Sequence, residues 1–267
     1  MPITSPSEAM RMGAIVAQEA WRIEKKFSRY RDDSVLAWIH RNRGLQVAVD
    51  SETSALLDFS QHCFDISGGL FDITSGILRE AWRFDGSDRI PSAQAVARLL
   101  PWVGFEKLTW DAPYLTLPAH MELDFGGIGK EYAVDRAYDL LANDCTAPFL
   151  INFGGDLRAN RAPAQGCWQV GVERPDTVGE ASVLLDLEYG ALATSGDSHR
   201  YLLSANQRYG HVLNPRTGWP VSDAPRSVTV AASSCTEAGL LATLAMLQGS
   251  QAEHFLTEQG VRYWLTR

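Results

Sequence analysis

The densest run of functional side chains lies between Thr194 and Val221. It reads Thr194-Ser195-Gly196-Asp197-Ser198-His199-Arg200-Tyr201, then His211-Val212-Leu213-Asn214-Pro215-Arg216-Thr217-Gly218-Trp219-Pro220-Val221. The first part offers a hydroxyl pair beside a carboxylate, and the second an imidazole followed by a Pro-Arg-Thr-Gly turn. A packed core has no need of that density of polar groups, whereas a ligand site does. His211 is the candidate general base, since an imidazole can take a proton near neutral pH. A lone histidine is more often structural than catalytic. The nearness of Asp197 in sequence and the turn that follows favour the catalytic reading.

Four more segments carry glycines or charges at element boundaries. Asp124-Phe125-Gly126-Gly127-Ile128-Gly129-Lys130 joins an expected strand to an expected helix. Glycines there let backbone approach a ligand, and a helix N-terminus favours an anion such as phosphate. The spacing is neither a Walker A sequence nor a complete GxGxxG, which excludes P-loop and Rossmann readings. A tight turn without a ligand remains open. Asn152-Phe153-Gly154-Gly155-Asp156 follows an apolar run; it suits an adenine, ribose or metal-water contact, or a plain turn in which Asp156 bonds its own backbone. In Ser67-Gly68-Gly69-Leu70-Phe71-Asp72-Ile73-Thr74, Gly68 reads as a helix C-cap and Asp72 to Thr74 as the next N-cap. In Phe27 to Ser34, Arg29 and Arg31 suit a helix C-terminus, and Tyr30 could stack on a planar ligand.

The elements that must position these groups follow from periodicity. Met12, Ile15, Val16, Ala20, Ile23 and Phe27 recur at helical spacing, and Ser54 to Ile66 reads as a second helix. Residues 84–92 form a polar loop ending in an N-cap at Ser92, before a short helix from Ala93 to Leu100. From Phe105 the period changes: 105–110 and 114–117 read as a hairpin around Asp111-Ala112-Pro113, and Glu122 to Asp124 as a short strand. A helix follows Lys130. Strands are expected at 149–153, 168–172, 183–187, 191–193 and 227–232. Ala238 to Leu247 reads as an apolar helix, and Gln251–Gln259 and Arg262–Leu265 as a closing helix and strand. Helices first, then strands interleaved with helices, predict an α+β fold with largely antiparallel sheets.

Bulk properties narrow the partners. The chain has 267 residues, 45% of them hydrophobic, enough for a sizeable core. With no repeat or linker in sight, residues 1–267 are read as a single domain, with room for subdomains. A net charge of −8 argues against a nucleic-acid surface. Cys63, Cys145, Cys167 and Cys235 are far apart and form no CxxC pair, which suits buried or half-buried thiols in a reducing compartment. No stretch is long and apolar enough for a membrane span, and no secretory signal is visible, so a cytoplasmic location is expected.

Taken in order, these segments resemble the ApbE family of FAD:protein FMN transferases. The resemblance rests on Ser28-Arg29-Tyr30-Arg31 with Ser34, Ser67-Gly68-Gly69 with Phe71-Asp72, and Asp124 through Lys130 with Tyr132-Ala133-Val134-Asp135. It continues through Gly154-Gly155-Asp156, Thr194-Ser195-Gly196-Asp197, His211 with Pro215-Arg216-Thr217-Gly218, and Ala242-Thr243. The resemblance implies a T-fold-like architecture that binds FAD with a magnesium ion, Mg2+, on its pyrophosphate. A Thr or Ser hydroxyl of a partner protein then attacks the FMN phosphorus and AMP leaves. It implies His211 as the base. It implies flavin-nucleotide contacts at Tyr30, Asp72, Gly126, Gly127, Lys130, Gly155, Asp156, Ser195, Gly196, Asp197, Arg216 and Thr217. It implies metal contacts at Thr243 and at the Gly129 carbonyl.

The sequence also departs from the family pattern. Gly239 stands where the family has a metal-binding Asp four residues before the Thr, and Glu131 stands where it usually has glycine. Asn214 stands where an Asp usually follows the histidine. The N-terminal strand with its Met-Gly-Thr segment is not visible; only Met12-Gly13-Ala14 lies nearby, inside a helical pattern. Asp197 and Glu237 are the oxygen donors that could compensate for Gly239, and restoring Asp at position 239 is expected to revive metal binding. Two alternatives to transfer follow: an FAD-binding protein with lost or weakened transferase activity, and an FAD pyrophosphatase in which water replaces the hydroxyl.

Overall fold

The first layer is helical, and its caps are written in the local sequence. The structure, a computed structural model, describes residues 5–174, 177–197 and 200–267, with the backbone alone at Val178. Helix α1, Pro6–Phe27, starts where Ser5 accepts from the Glu8 N–H and Pro6 occupies the first turn. Glu8 in its first turn and Lys25 and Lys26 in its last complement the helix dipole. Helix α2, Val35–Arg41, is capped by Ser34. Seven residues are too few to show a helical period, so the sequence pattern missed it. Strand β1, Gln46–Ala48, leads to α3, Ser51–Ile66. The α3 helix starts three residues before the expected Ser54, because Asp50 is its true cap and accepts from both Glu52 N–H and Thr53 N–H. Arg22 of α1 binds Glu52 of α3 at 2.6 Å, and Lys26 binds both Asp50 and Glu52, fastening the two helices.

Helix α3 ends as the glycines suggest. Gly68 and Gly69 have φ of 58° and 84°, and the Gly69 N–H donates to the Phe64 carbonyl at 2.7 Å. Asp72 then caps a 3-10 segment, Ile73–Glu80. Helix α4, Ala93–Leu99, begins at the expected Ser92. Strands β2, Thr109–Asp111, and β3, Tyr114–Thr116, form the expected hairpin, and β1 completes a sheet of order β1-β3-β2.

Two expected strand segments are not strands. Phe105–Lys107 is a 3-10 turn, because Asp72 accepts from the Phe105 N–H and Thr74 from the Gly104 N–H, which removes those donors from any ladder. Glu122 to Asp124 is also irregular. The Leu123 N–H donates to His40 and the Asp124 N–H to the Ile73 carbonyl, so each bond has a different partner. A strand needs one neighbour that takes alternate groups in turn.

The second layer is an antiparallel sheet of order β12-β11-β8-β5-β4. Its strands are β4 (Leu150–Phe153), β5 (Asp156–Ala159), β8 (Gly190–Gly196), β11 (Ser227–Ala232) and β12 (Arg262–Thr266). Helices α5 (Gly129–Ala142) and α6 (Cys235–Leu247) cover it. Their shared core takes Val134, Ala137 and Leu141 from α5, Ala238, Ala242 and Ala245 from α6, and Val228 and Val230 from β11. Helix α6 is buried on most of its surface, as its nearly continuous apolar sequence requires. Helix α7, Ala252–Glu258, precedes β12. Hairpin β6–β7, Trp168–Arg174 with Thr177–Leu187, stands beside the sheet with its own pairing. Hairpin β9–β10, Tyr201–Ser204 with Gln207–Gly210, turns through Ala205 and Asn206, both at positive φ. That turn lacks the usual glycine, which hid the hairpin from sequence. The structure therefore has the expected α+β class with antiparallel sheets. Among the described residues no helix is long and apolar enough to cross a membrane.

One carboxylate joins α5 to α6. Asp135 accepts from the Cys235 N–H at 2.9 Å, the Thr236 N–H at 2.8 Å and the Thr236 hydroxyl at 2.7 Å. Arg158 of β5 donates to it at 2.8 Å. These are charge-assisted bonds at a helix N-terminus, where an anion is favoured. Asp135→Ala is expected to destabilise the protein by about 3 kcal/mol, since it leaves donors and an arginine without their acceptor. Urea denaturation measures this; a loss below about 1 kcal/mol would show that the cap is dispensable.

Candidate active site

Three turns at the edges of the sheet and of α5 carry most of the expected site. The first opens α5. The Phe125 carbonyl accepts from Ile128 N–H and Gly129 N–H, at 3.0 and 2.7 Å, and the Asp124 carboxylate accepts from the Gly126 N–H at 2.9 Å. A Cβ at Gly127 would lie 3.1 Å from the Phe71 ring, so close packing already asks for glycine there. Asp124 also pairs with Arg29. Arg29 in turn donates to the Tyr30 hydroxyl at 2.8 Å. Tyr30 is 76% exposed, with the Arg29 guanidinium 4.9 Å from its ring centroid, and Arg29 ties it to the glycine turn.

The second turn, Gly154-Gly155, has φ of 62° and 100° with open space around both positions. Backbone conformation, rather than crowding, requires glycine here. Asp156 is buried. Its Oδ1 accepts from the Thr194 N–H of β8 at 3.0 Å, rather than from its own turn. Lys130 Nζ lies 2.5 Å from its Oδ2, off line for a hydrogen bond. Lys130, Asp156 and Thr194 thus form one connected group across α5, β5 and β8.

The third is the end of β8 with the start of the next hairpin. Ser195 and Gly196 pair with Val228 and Ser227 of β11. A Cβ at Gly196 would lie 2.8 Å from the Arg226 carbonyl, so the strands need glycine to close. Asp197 is held by Arg208 Nε at 2.7 Å and Arg226 Nε at 3.0 Å. Gly210 of β10 sits against Asp197, which brings His211 to the same corner. His211 is largely buried, and its Nδ1 has no hydrogen-bond partner. Burial, then the positive charge of Arg200, lowers its pKa, while the Asp197 charge opposes that shift. The ring is therefore neutral at physiological pH and has a lone pair to offer. Ser198 and His199 lie outside the described residues.

The remaining expected residues have clear local partners. Asn214 Oδ1 accepts from the Arg216 N–H at 2.9 Å, a bond that an aspartate would make equally well. Arg216 donates to the Gly68 carbonyl, pinning this turn to the end of α3. The Thr217 hydroxyl accepts from the Trp219 N–H at 3.2 Å. Asp72 is occupied by Thr74 and by the Phe105 N–H, and burial raises its pKa. It stabilises the loop that supports the site.

The ApbE family pattern matches residues 3–265. The chain belongs to the ApbE family. It is 27% identical over 244 residues to the FAD:protein FMN transferase of Haemophilus influenzae, covering 86% of this chain and 70% of that protein. It is 30% identical over 247 residues to the FAD:protein FMN transferase of Treponema pallidum, with coverages of 85% and 68%. The ApbE protein of Thermotoga maritima superposes with a TM-score of 0.88 at 29% identity, over 98% of this chain and 88% of that one.

Seen beside the ApbE pattern, the departures at 131 and 239 meet in space. A Cβ at Gly239 would lie 2.5 Å from Glu131 Cγ and 3.0 Å from its Oε1. An Asp at 239 would therefore meet the Glu131 side chain where it now stands. The two suggested substitutes are also engaged elsewhere. Asp197 is held by its two arginines, and Glu237 accepts from the Ser233 hydroxyl at 2.7 Å at the start of α6. Burial, then the neighbouring Asp156, raises the Glu131 pKa, and Glu131 Oε2 has no partner. Thr243 lies one turn beyond Gly239 on α6, and Gly129 opens α5. Among the described residues no three His, Cys, Asp or Glu side chains gather into a metal cluster. A magnesium site does not need three, because phosphate oxygens and water complete its shell. Sequence reading noted Glu131 and Gly239 separately; a carboxylate gained and a carboxylate lost, taken as a pair, was the signal that would have joined them.

His40 holds the approach to the Asp124 turn. Its Nε2 accepts from the Leu123 N–H at 2.9 Å. Burial, then the charge of Arg43, lowers its pKa from 6.5 to about 4. A lowered histidine pKa favours the neutral folded form. The stabilisation is complete above 6.5 and is lost as pH falls toward 4. Stability should drop by up to about 3 kcal/mol across that window in urea titrations. His40→Gln, which keeps an acceptor for Leu123, should flatten the dependence; an unchanged slope would assign it to other groups.

Proposed function

We propose that this chain transfers the FMN part of FAD to a Thr or Ser hydroxyl of a partner protein. The observation that carries the reading is His211, buried, neutral and unpartnered at Nδ1, at the corner that also holds Asp197. The relatives named FAD:protein FMN transferase, matched over most of this chain, support it. The partner's hydroxyl oxygen forms a bond to the FMN phosphorus, the phosphorus–oxygen bond to AMP breaks, and AMP leaves. His211 takes the hydroxyl proton.

Phosphoryl-type transfer depends mainly on positioning and charge neutralisation. In this reading Tyr30 covers the flavin, and the contacts of Arg29 with Tyr30 and Asp124 support that role. The phosphates, in the same reading, lie at the N-terminal end of α5, where the helix dipole favours an anion, with Gly126 and Gly127 giving them access. Asp156 and Lys130, with Ser195, Gly196 and Asp197, form the wall beneath. Arg216 and Thr217 shape the turn that carries His211. A magnesium ion, for which the unpartnered Glu131 oxygen, Thr243 and the Gly129 carbonyl are suited, would supply positive charge to the pyrophosphate.

In-gel flavin fluorescence and AMP release, after incubation with FAD, magnesium and candidate partner proteins, test the proposal. Labelled partner with matching AMP is the expected result. Free FMN and AMP would instead mean pyrophosphatase chemistry, and flavin binding without AMP would mean a binding protein. His211→Ala should lower transfer by a factor on the order of 10²–10⁴ while FAD still binds. Transfer at the unaltered rate would remove His211 from the mechanism.

A further inference from the structure

The structure assigns to Glu131 of α5 the metal-ligating carboxylate that residue 239 of α6 does not provide. This rests on the flavin-transfer reading and names which side chain of this chain holds its cation. Position 239 is a glycine, and the space its side chain would enter contains the Glu131 carboxylate: a Cβ there would fall 2.5 Å from Glu131 Cγ and 3.0 Å from both Cδ and Oε1. Positions 239 and 243 lie four residues apart on α6 and so share one face of that helix. Position 131 shares a face of α5 with Asp135, four residues on, and Asp135 is bonded to the first N–H groups of α6. The same cap that joins the helices therefore brings Glu131 against Gly239.

The state of Glu131 points to a missing partner. Glu131 is 8% exposed, and its Oε2 makes no hydrogen bond. Beside it stands a second buried carboxylate, Asp156, whose Oδ2 has only the off-line Lys130 ammonium. Two carboxylates share that space with one lysine. A buried, unpaired carboxylate is costly unless a cation or a proton compensates it. A hard divalent cation takes carboxylate, hydroxyl and carbonyl oxygens together, and the two neighbouring buried carboxylates supply the first of these. In this structure the Glu131 side chain fills the space at 239, so a side chain there needs Glu131 to shift or be replaced by a smaller residue.

Manganese, a spectroscopic stand-in for magnesium, tests this on the full chain without FAD or a partner protein. Binding is read by electron paramagnetic resonance, with circular dichroism recording the fold of each variant. The unaltered chain should bind Mn2+. Glu131→Gln, which keeps the shape and removes the charge, should weaken binding by at least about tenfold. Gly239→Asp alone should fail to strengthen binding, because Glu131 fills the space. The double variant Glu131→Gly with Gly239→Asp should return affinity to within about threefold of the unaltered chain. Equal binding by the unaltered chain and Glu131→Gln, or no Mn2+ binding by the unaltered chain, would overturn the assignment. In the latter case the buried pair holds a proton. Because the readout is metal occupancy, it stands apart from FMN transfer: binding without transfer would sink the activity and leave the ligand in place, and transfer without Glu131-dependent binding would do the reverse.

Discussion

The bonds from Asp135 to the start of α6 set the geometry on which the site depends. One carboxylate takes two backbone N–H groups, a hydroxyl and Arg158. It satisfies donors that a helix N-terminus leaves open and fixes α5, α6 and β5 at one point. Two helices fixed at one turn have their next turns fixed as well. Glu131 faces Gly239 because Asp135 faces Cys235 and Thr236.

The sheet does the same for the other wall. Asp156 begins β5 directly after two glycines at positive φ, and its carboxylate crosses to the Thr194 N–H of β8. Thr194 is joined on its other side to Thr229 of β11, hydroxyl to hydroxyl at 2.8 Å. Polar groups buried inside a sheet hold register because leaving them unpaired costs more than pairing them gains. The short approach of β8 to β11 at Gly196 depends on that register, and Asp197 follows immediately, between Arg208 and Arg226.

The electrostatics divide the site into two parts. At the His211 corner, arginines outnumber carboxylates, and the imidazole stays neutral and available. Around Glu131, burial and the neighbouring Asp156 favour the protonated carboxyl, and Lys130 stands against Asp156. A ligand with a pyrophosphate and a bound cation has complementary demands: a base near the reacting oxygen and positive charge near the phosphates.

Much of this was legible in the sequence, for a local reason. Caps at Ser92 and Gly68, strand β11 and the apolar helix α6 each depend on a few neighbouring residues, so type and spacing suffice. The ordered motifs likewise identified the ApbE family, because each is a contiguous turn. Elements whose hydrogen bonds go elsewhere were not legible. Phe105–Lys107 alternates like a strand, yet Asp72, far back in the chain, takes the donor it would have used. Asp50 outcompeted the expected start of α3, and α2 and the Ala205-Asn206 hairpin carried too little period or turn signal. The site divides along the same line. His211 and the glycine turns are local features, visible residue by residue. That Glu131 occupies the place of a side chain at 239 depends on two helices meeting more than a hundred residues apart in sequence, and only the packing set by Asp135 decides it.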